Sequence, residues 1–143
     1  MSCVALKIKV LGKEVITEDH IRKGSCLINV VPVIQKGVNP YHSLCTKYFF
    51  ANIKLSHHHT TVKEGYQAVA HIGCIRNTVE VVKIKGVEDC LRVGDTAKVL
   101  LKFKYGVELV EEDAAIMLRE GSTRAVGFVD QVFPMSAAEE FIL

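Results

Sequence analysis

At 143 residues the chain has the length of one ordinary domain. It is 49% hydrophobic and 24% charged, which excludes the polar, charge-rich composition of disordered chains. The formal net charge of +2 is too close to balance to argue for a nucleic-acid partner by itself, so local clusters have to carry any such claim.

No window of 18 apolar residues occurs, and no basic n-region with an apolar run and a small-residue cleavage site is present. A cytoplasmic protein without a membrane partner is expected. The five cysteines are Cys3, Cys26, Cys45, Cys74 and Cys90. Their number is odd and none forms a C-x-x-C pair, so neither a disulfide framework nor a zinc ribbon is indicated. Cys26, Cys45 and Cys74 lie in or beside apolar segments and read as small buried hydrophobes of a reduced compartment.

In chain order, short Val/Ile-rich runs at Val4 to Val10 and Ser25 to Ile34 suit strands. The polar stretch QKGVNPYHS, Gln35 to Ser43, makes a seam. Beyond it, Phe49, Ala51, Ile53 and Leu55 fall on one face, with Phe50, Asn52 and Lys54 on the other. Further strand-like runs follow at Tyr66 to Ile72 and Asn77 to Lys85. In Lys98 to Tyr105, Val99, Leu101, Phe103 and Tyr105 point one way, and Lys98, Leu100, Lys102 and Lys104 the other. Ala114 to Arg119 and Thr123 to Phe133 complete the set. A period of two marks half-buried strands. Gly-bearing turn signals at Lys36-Gly37, Glu64-Gly65, Lys85-Gly86, Gly94-Asp95, Tyr105-Gly106 and Glu120-Gly121 punctuate the runs. Only Ile16 to Ile21 and Ser136 to Phe141 suggest single helical turns. The pattern predicts an all-β protein, a barrel or sandwich. The first segment has too few strands to close a barrel, whereas residues 44–134 have about six.

Several motifs are missing. Gly12-Lys13 lacks the glycine and hydroxyl residue of a phosphate loop, and no H-E-x-x-H, G-x-S-x-G or G-x-G-x-x-G occurs. Glu111, Glu112 and Asp113 read as a solvated acidic turn. His57, His58 and His59 are consecutive, so on a strand they cannot all reach one metal without a turn, and no further ligand set stands at recognisable spacing. They read as a surface loop or as a contact surface for phosphate or a partner. In LREGSTRAVGFV, Arg119 and Arg124 flank a Gly-Ser-Thr turn. That arrangement suits phosphate oxygens, or a charged hairpin closed by salt bridges. Lys98, Lys102 and Lys104 form a solvated strand face or a basic docking surface.

The ordered segments FFANIKLSHHHTTVKEGYQAVAHIGCIRNTVEVV, CLRVGDTAKVLLKF and REGSTRAVGFV resemble the third domain of translational GTPases of the elongation factor Tu class. Within that class they most resemble the eukaryotic GTP-binding-protein-1/2 branch. The resemblance covers about residues 46–133. Residues 4–31, with HIRKGSCL, resemble the closing strands of the preceding second domain.

This resemblance implies an all-β fold, an elongation factor Tu domain III-like antiparallel barrel preceded by a few strands of a domain II-like barrel. The implied division is 1–34 for the second-domain strands, 35–45 for a linker, 46–134 for the barrel and 135–143 for a tail. An orphaned 1–34 segment is expected to expose strand edges and promote self-association. In the family the third domain packs against the GTPase and second domains and touches the T stem of aminoacyl-tRNA. An Arg-His pair there corresponds to His58-His59, followed by a threonine matching Thr60. A further contact falls near Asn77, and the Arg-Glu-Gly turn matches Arg119, Glu120 and Gly121. Arg124 belongs to the same candidate surface, with Lys63, Arg76 and Lys104 as second-line donors.

His58 departs from the family arginine, since histidine is mostly neutral at pH 7. No phosphate loop, magnesium-ligating motif or guanine-specificity motif is present, so the chain itself is not expected to hydrolyse GTP. GTP and magnesium would belong to the parent protein, with no cofactor in this chain. The expected role is a non-catalytic barrel that contacts tRNA or ribosomal partners and the GTPase domain. The alternative is a barrel that docks a tRNA-mimicking or other protein, as release and rescue factor relatives do.

Overall fold

The computed structural model describes residues 45–57, 61–86 and 90–134. Six strands make it up: β1 (Thr46–His57), β2 (Gln67–Ile72), β3 (Ile75–Lys85), β4 (Thr96–Phe103), β5 (Ala115–Glu120) and β6 (Thr123–Pro134). They close into an antiparallel barrel in the order β1-β4-β3-β2-β5-β6, with β6 returning to β1. Of the barrel or sandwich read from the alternation, the barrel is therefore the observed fold, as the resemblance implied, and no helix occurs among the described residues. The strand runs before Gln35, the seam, the two helical-turn candidates, Cys3 and Cys26 lie outside those residues.

The alternation explains the core. Phe49, Ala51, Ile53 and Leu55 of β1 are buried and meet Val99, Leu101 and Phe103 of β4. Phe49 and Phe103 pack ring on ring at 5.1 Å between centroids, a tilted arrangement favourable for aromatic quadrupoles. Leu91 and Val110 from the connecting segments add to the same cluster. Closure removes free edges from these strands, so every main-chain ladder finds a neighbour.

Three details depart from the sequence reading. β4 begins at Thr96 and ends at Phe103, so Tyr105 leaves the inward row and is 64% exposed. Gly106, at φ 69, bends the chain away there, and an inward tyrosine would have needed a partner for its hydroxyl. Phe50, on the outward face, is only 9% exposed because Lys85 and Lys98 lie over its ring at 4.5 and 5.0 Å. Cys74 is exposed in the β2–β3 turn instead of buried, while Cys45 and Cys90 are half-buried.

Candidate nucleic-acid interface

The barrel wall brings distant basic residues into one row. Lys104 donates its main-chain N–H to Thr78 O at 2.8 Å. Thr78 faces Val69, Val69 faces Arg119, Arg119 faces Arg124, and Arg124 faces His57. A second row runs beside it through Arg76, His71, Met117, Val126 and Lys54. On β2 the neighbours Ala68, Ala70 and Ile72 are buried, so Val69 and His71 take the outer face by parity.

Arg119 and Arg124 end up side by side because a two-residue turn joins their strands. Glu120 faces Thr123 across Gly121-Ser122. Gly121 has φ 54 and Ser122 does not share a positive φ, the pattern of a type II′ turn whose first central residue favours glycine.

Between β3, β2 and β5 the surface sinks into a concavity of about 550 Å³. Arg76, His71, Arg119, Glu120, Gly121 and Gln67 are among the residues that line it. Lys104 Nζ donates to Gln67 Oε1 at 2.8 Å, which puts a further cation at the rim. Among the described residues Arg76, Arg119 and Arg124 form no ion pair. The salt-bridged hairpin reading is thus not the observed arrangement.

One carboxylate is built into the site. The Tyr66 hydroxyl donates to Glu120 Oε2 at 3.1 Å. Burial pushes the Tyr66 phenol above its ordinary value; a hydrogen bond with Thr123 opposes the rise, and the Glu120 carboxylate adds to it. Tyr66 also packs against the core cluster, so Glu120 is held by an anchored donor.

Of the expected site residues, the fold thus brings together Arg119, Glu120, Gly121, Arg124 and Arg76, with Lys104 at the rim. Asn77 is separated from them. It has the inward parity of Ile75 and Val79, and its Nδ2 donates to Tyr105 O at 2.7 Å and Glu108 Oε1 at 2.8 Å. Its observed work is to tie the segment after β4 to the barrel. Lys63 is exposed in the turn before β2, where Tyr66 N–H donates to Lys63 O, and it does not line the concavity. His58, His59 and Thr60 lie outside the described residues; His57, just before them, faces Arg124.

His71 and Gln67 belong to the concavity and were not singled out from the sequence. The signal was available: both share the outer parity of β2 inside the motif YQAVAHIG. Among the described residues no group of three or more His, Cys, Asp or Glu is placed to hold a metal ion. Among the described residues no helix is long and apolar enough to cross a membrane.

No protein-family model matches the chain. Individual proteins do. GTP-binding protein 1 of Xenopus laevis is 35% identical over 117 residues, covering 82% of this chain and 16% of that protein. This chain is similar to GTP-binding proteins 1 and 2. GTP-binding protein 2 of Mus musculus and of Homo sapiens are each 34% identical over 119 residues, covering 83% of this chain and 18% of theirs. The chain therefore matches less than a fifth of the length of these curated relatives. The similarity falls on a stretch that includes most of the barrel, since the match is longer than the residues outside it.

Proposed function

We propose that this chain is a non-catalytic barrel of a GTP-binding protein of the elongation factor Tu class, and that its arginine row holds the backbone of tRNA or ribosomal RNA. One observation carries the reading. Arg76 and Arg119 converge on one concavity, Arg124 continues the same surface, and none of the three is neutralised by an ion pair among the described residues. Arginine forks match phosphate oxygens, so such a row suits a polyanion with regularly spaced phosphates. Glu120 limits the local positive charge and, with its fixed carboxylate, offers an acceptor beside the phosphate donors.

The division into second-domain strands at 1–34, a linker at 35–45, the barrel at 46–134 and a tail at 135–143 belongs to the same proposal. So does a cytoplasmic setting. The relatives' names supply the GTP-binding part of the proposal, and nucleotide and magnesium would be held by segments that the match does not include. The barrel's role is to carry RNA contact and, through domain contacts, to relay the nucleotide state.

The test is tRNA binding by the purified chain at low salt. Arg119→Ala is expected to weaken it about tenfold, in keeping with loss of a charge-assisted contact. His58→Ala/His59→Ala is expected to weaken it several-fold. Absence of tRNA binding at low salt, with the chain folded, contradicts the reading and directs the search to protein partners.

A further inference from the structure

The arginine row ends on an exposed aromatic ring. Lys104 is fixed to the concavity twice: its N–H donates to Thr78 O and its Nζ to Gln67 Oε1, each at 2.8 Å, and both partners line the hollow. Tyr105 is the next residue, and Lys104 Nζ stands 5.8 Å from the centre of its ring. One lysine thus bridges the ring and the concavity that holds Arg76 and Arg119. The ring has no place in the core cluster. It is 64% exposed, and Gly106 turns the chain out of the ladder just after it.

Lone exposed apolar side chains are ordinary, but this one stands on a fixed carrier. Asn77 Nδ2 donates to Tyr105 O at 2.7 Å and to Glu108 Oε1 at 2.8 Å. Glu108 and Thr46 exchange two main-chain hydrogen bonds, at 2.8 and 3.0 Å. The segment after β4 is therefore tied to β3 and to β1, while its tyrosine side chain is left in water. A ligand that lands on the ring has little backbone to order, and tyrosine has only two side-chain torsions to fix.

The neighbours select the ligand. A ring beside a line of phosphate donors has the layout of a single-strand platform: the backbone follows the cations, and a base lies on the aromatic face. A base inside a duplex is already stacked on both faces, whereas an unpaired base has a face to give. An apolar peptide anchor fits less well, because the ring's surroundings are Lys104 and the polar clip of Asn77 and Glu108. We infer that Tyr105 stacks an unpaired nucleobase whose neighbouring phosphate is held by Lys104. The preferred ligand is then an RNA duplex that opens into single strand at this end of the row. This inference rests on the RNA reading of the arginine row and narrows its substrate class.

The experiment measures binding of the full chain, at low salt, to two RNA duplexes of one sequence, one blunt and one with unpaired adenosines at both ends. The tailed duplex is expected to bind about tenfold tighter, within the range that one stacked base contributes. Tyr105→Ala is expected to remove that preference with the thermal transition preserved, and Tyr105→Phe to keep it. A tail of abasic nucleotides adds phosphates without a base and should lose most of the gain. A fluorescent adenine analogue in the tail should dim on binding to the native chain and stay bright on Tyr105→Ala, a change that a merely structural tyrosine would not produce. Equal affinity for the two duplexes, an abasic tail as good as adenosine, or a preference that survives in Tyr105→Ala overturns this inference and leaves the RNA reading standing. Binding of neither duplex by the folded chain overturns both.

Discussion

At the scale of single residues, Gly127 is the most constrained position in the wall. A Cβ built there would stand 1.9 Å from the Asn52 carbonyl oxygen. The obstacle is backbone of the paired strand β1, which cannot swing aside as a side chain could. Gly127→Ala is expected to cost about 3 kcal/mol or more, above the usual cost of an added methyl group, or to prevent folding. Urea denaturation of any soluble variant measures it. Tyr66 sets a pH limit. Its phenol is raised above 10.0 in the fold, mainly by burial. A raised value means that the folded chain holds the proton more tightly than the unfolded one. Its stabilising contribution is whole below pH 10 and is lost as pH rises through the folded value. Tyr66→Phe should therefore flatten the alkaline side of a Tm-against-pH curve, while an unchanged alkaline slope would remove Tyr66 as its cause. The Glu120 partner of this tyrosine was not legible in the sequence, because 54 residues separate them and only barrel closure brings them together. Asn77 is the opposite case. Its parity with Ile75 and Val79 was readable, yet motif correspondence drew it to the RNA surface while the structure employs it at the barrel's end.

At the scale of elements, the strands were legible because each wall strand has one wet and one dry face, which writes period two into the sequence. What parity could not give was their lateral order. The row from Lys104 to His57 exists only through registers among β3, β2, β5, β6 and β1. The end of β4 falls short of the alternation, which continues to Tyr105 after the ladder has stopped at Phe103; Gly106 is the cue. The outward face of β1 and β4 has its own electrostatics. Lys98 beside Asp130 holds that carboxyl below 3.8. A depressed value in the fold stabilises above the unfolded value and is lost as pH falls through the folded one. Since Asp130 is a half-buried surface residue whose ion pair is open to solvent screening, the effect is best read locally, from its side-chain carboxyl shift on acid titration. The midpoint should lie below 3.8 in the native chain and move up in Lys98→Ala; an unmoved midpoint would discount the pair.

At the scale of the whole molecule, one apolar cluster holds the barrel together, and Phe49 with Phe103 occupies its middle with no exposed surface. Phe103→Ala is expected to cost about 3–5 kcal/mol, a large part of an ordinary domain's stability of about 5–15 kcal/mol. Loss of the cooperative thermal transition, or a fall in Tm well beyond that of Lys102→Ala, checks it. The closed topology pairs strands distant in sequence, so folding should fall in the slow range of millisecond-to-second all-β domains. Around this core the wall offers two unlike surfaces, an arginine row over β3, β2 and β5 and an apolar trough over β5 and β6. The first was foreshadowed by Arg119, Arg124 and the Gly-bearing turn. The second was not, because Met117, Val126 and Phe128 look like core residues until β5 and β6 are aligned.

The most direct measurement of the arginine row is the salt dependence of tRNA binding. With Arg76, Arg119, Arg124 and Lys104 each taking a phosphate, log affinity should fall against log salt with a slope of about −3. Arg76→Ala/Arg119→Ala/Arg124→Ala should flatten that slope by about two units, with the thermal transition preserved. A slope unchanged in the triple variant, or binding indifferent to salt, would contradict RNA recognition by this face.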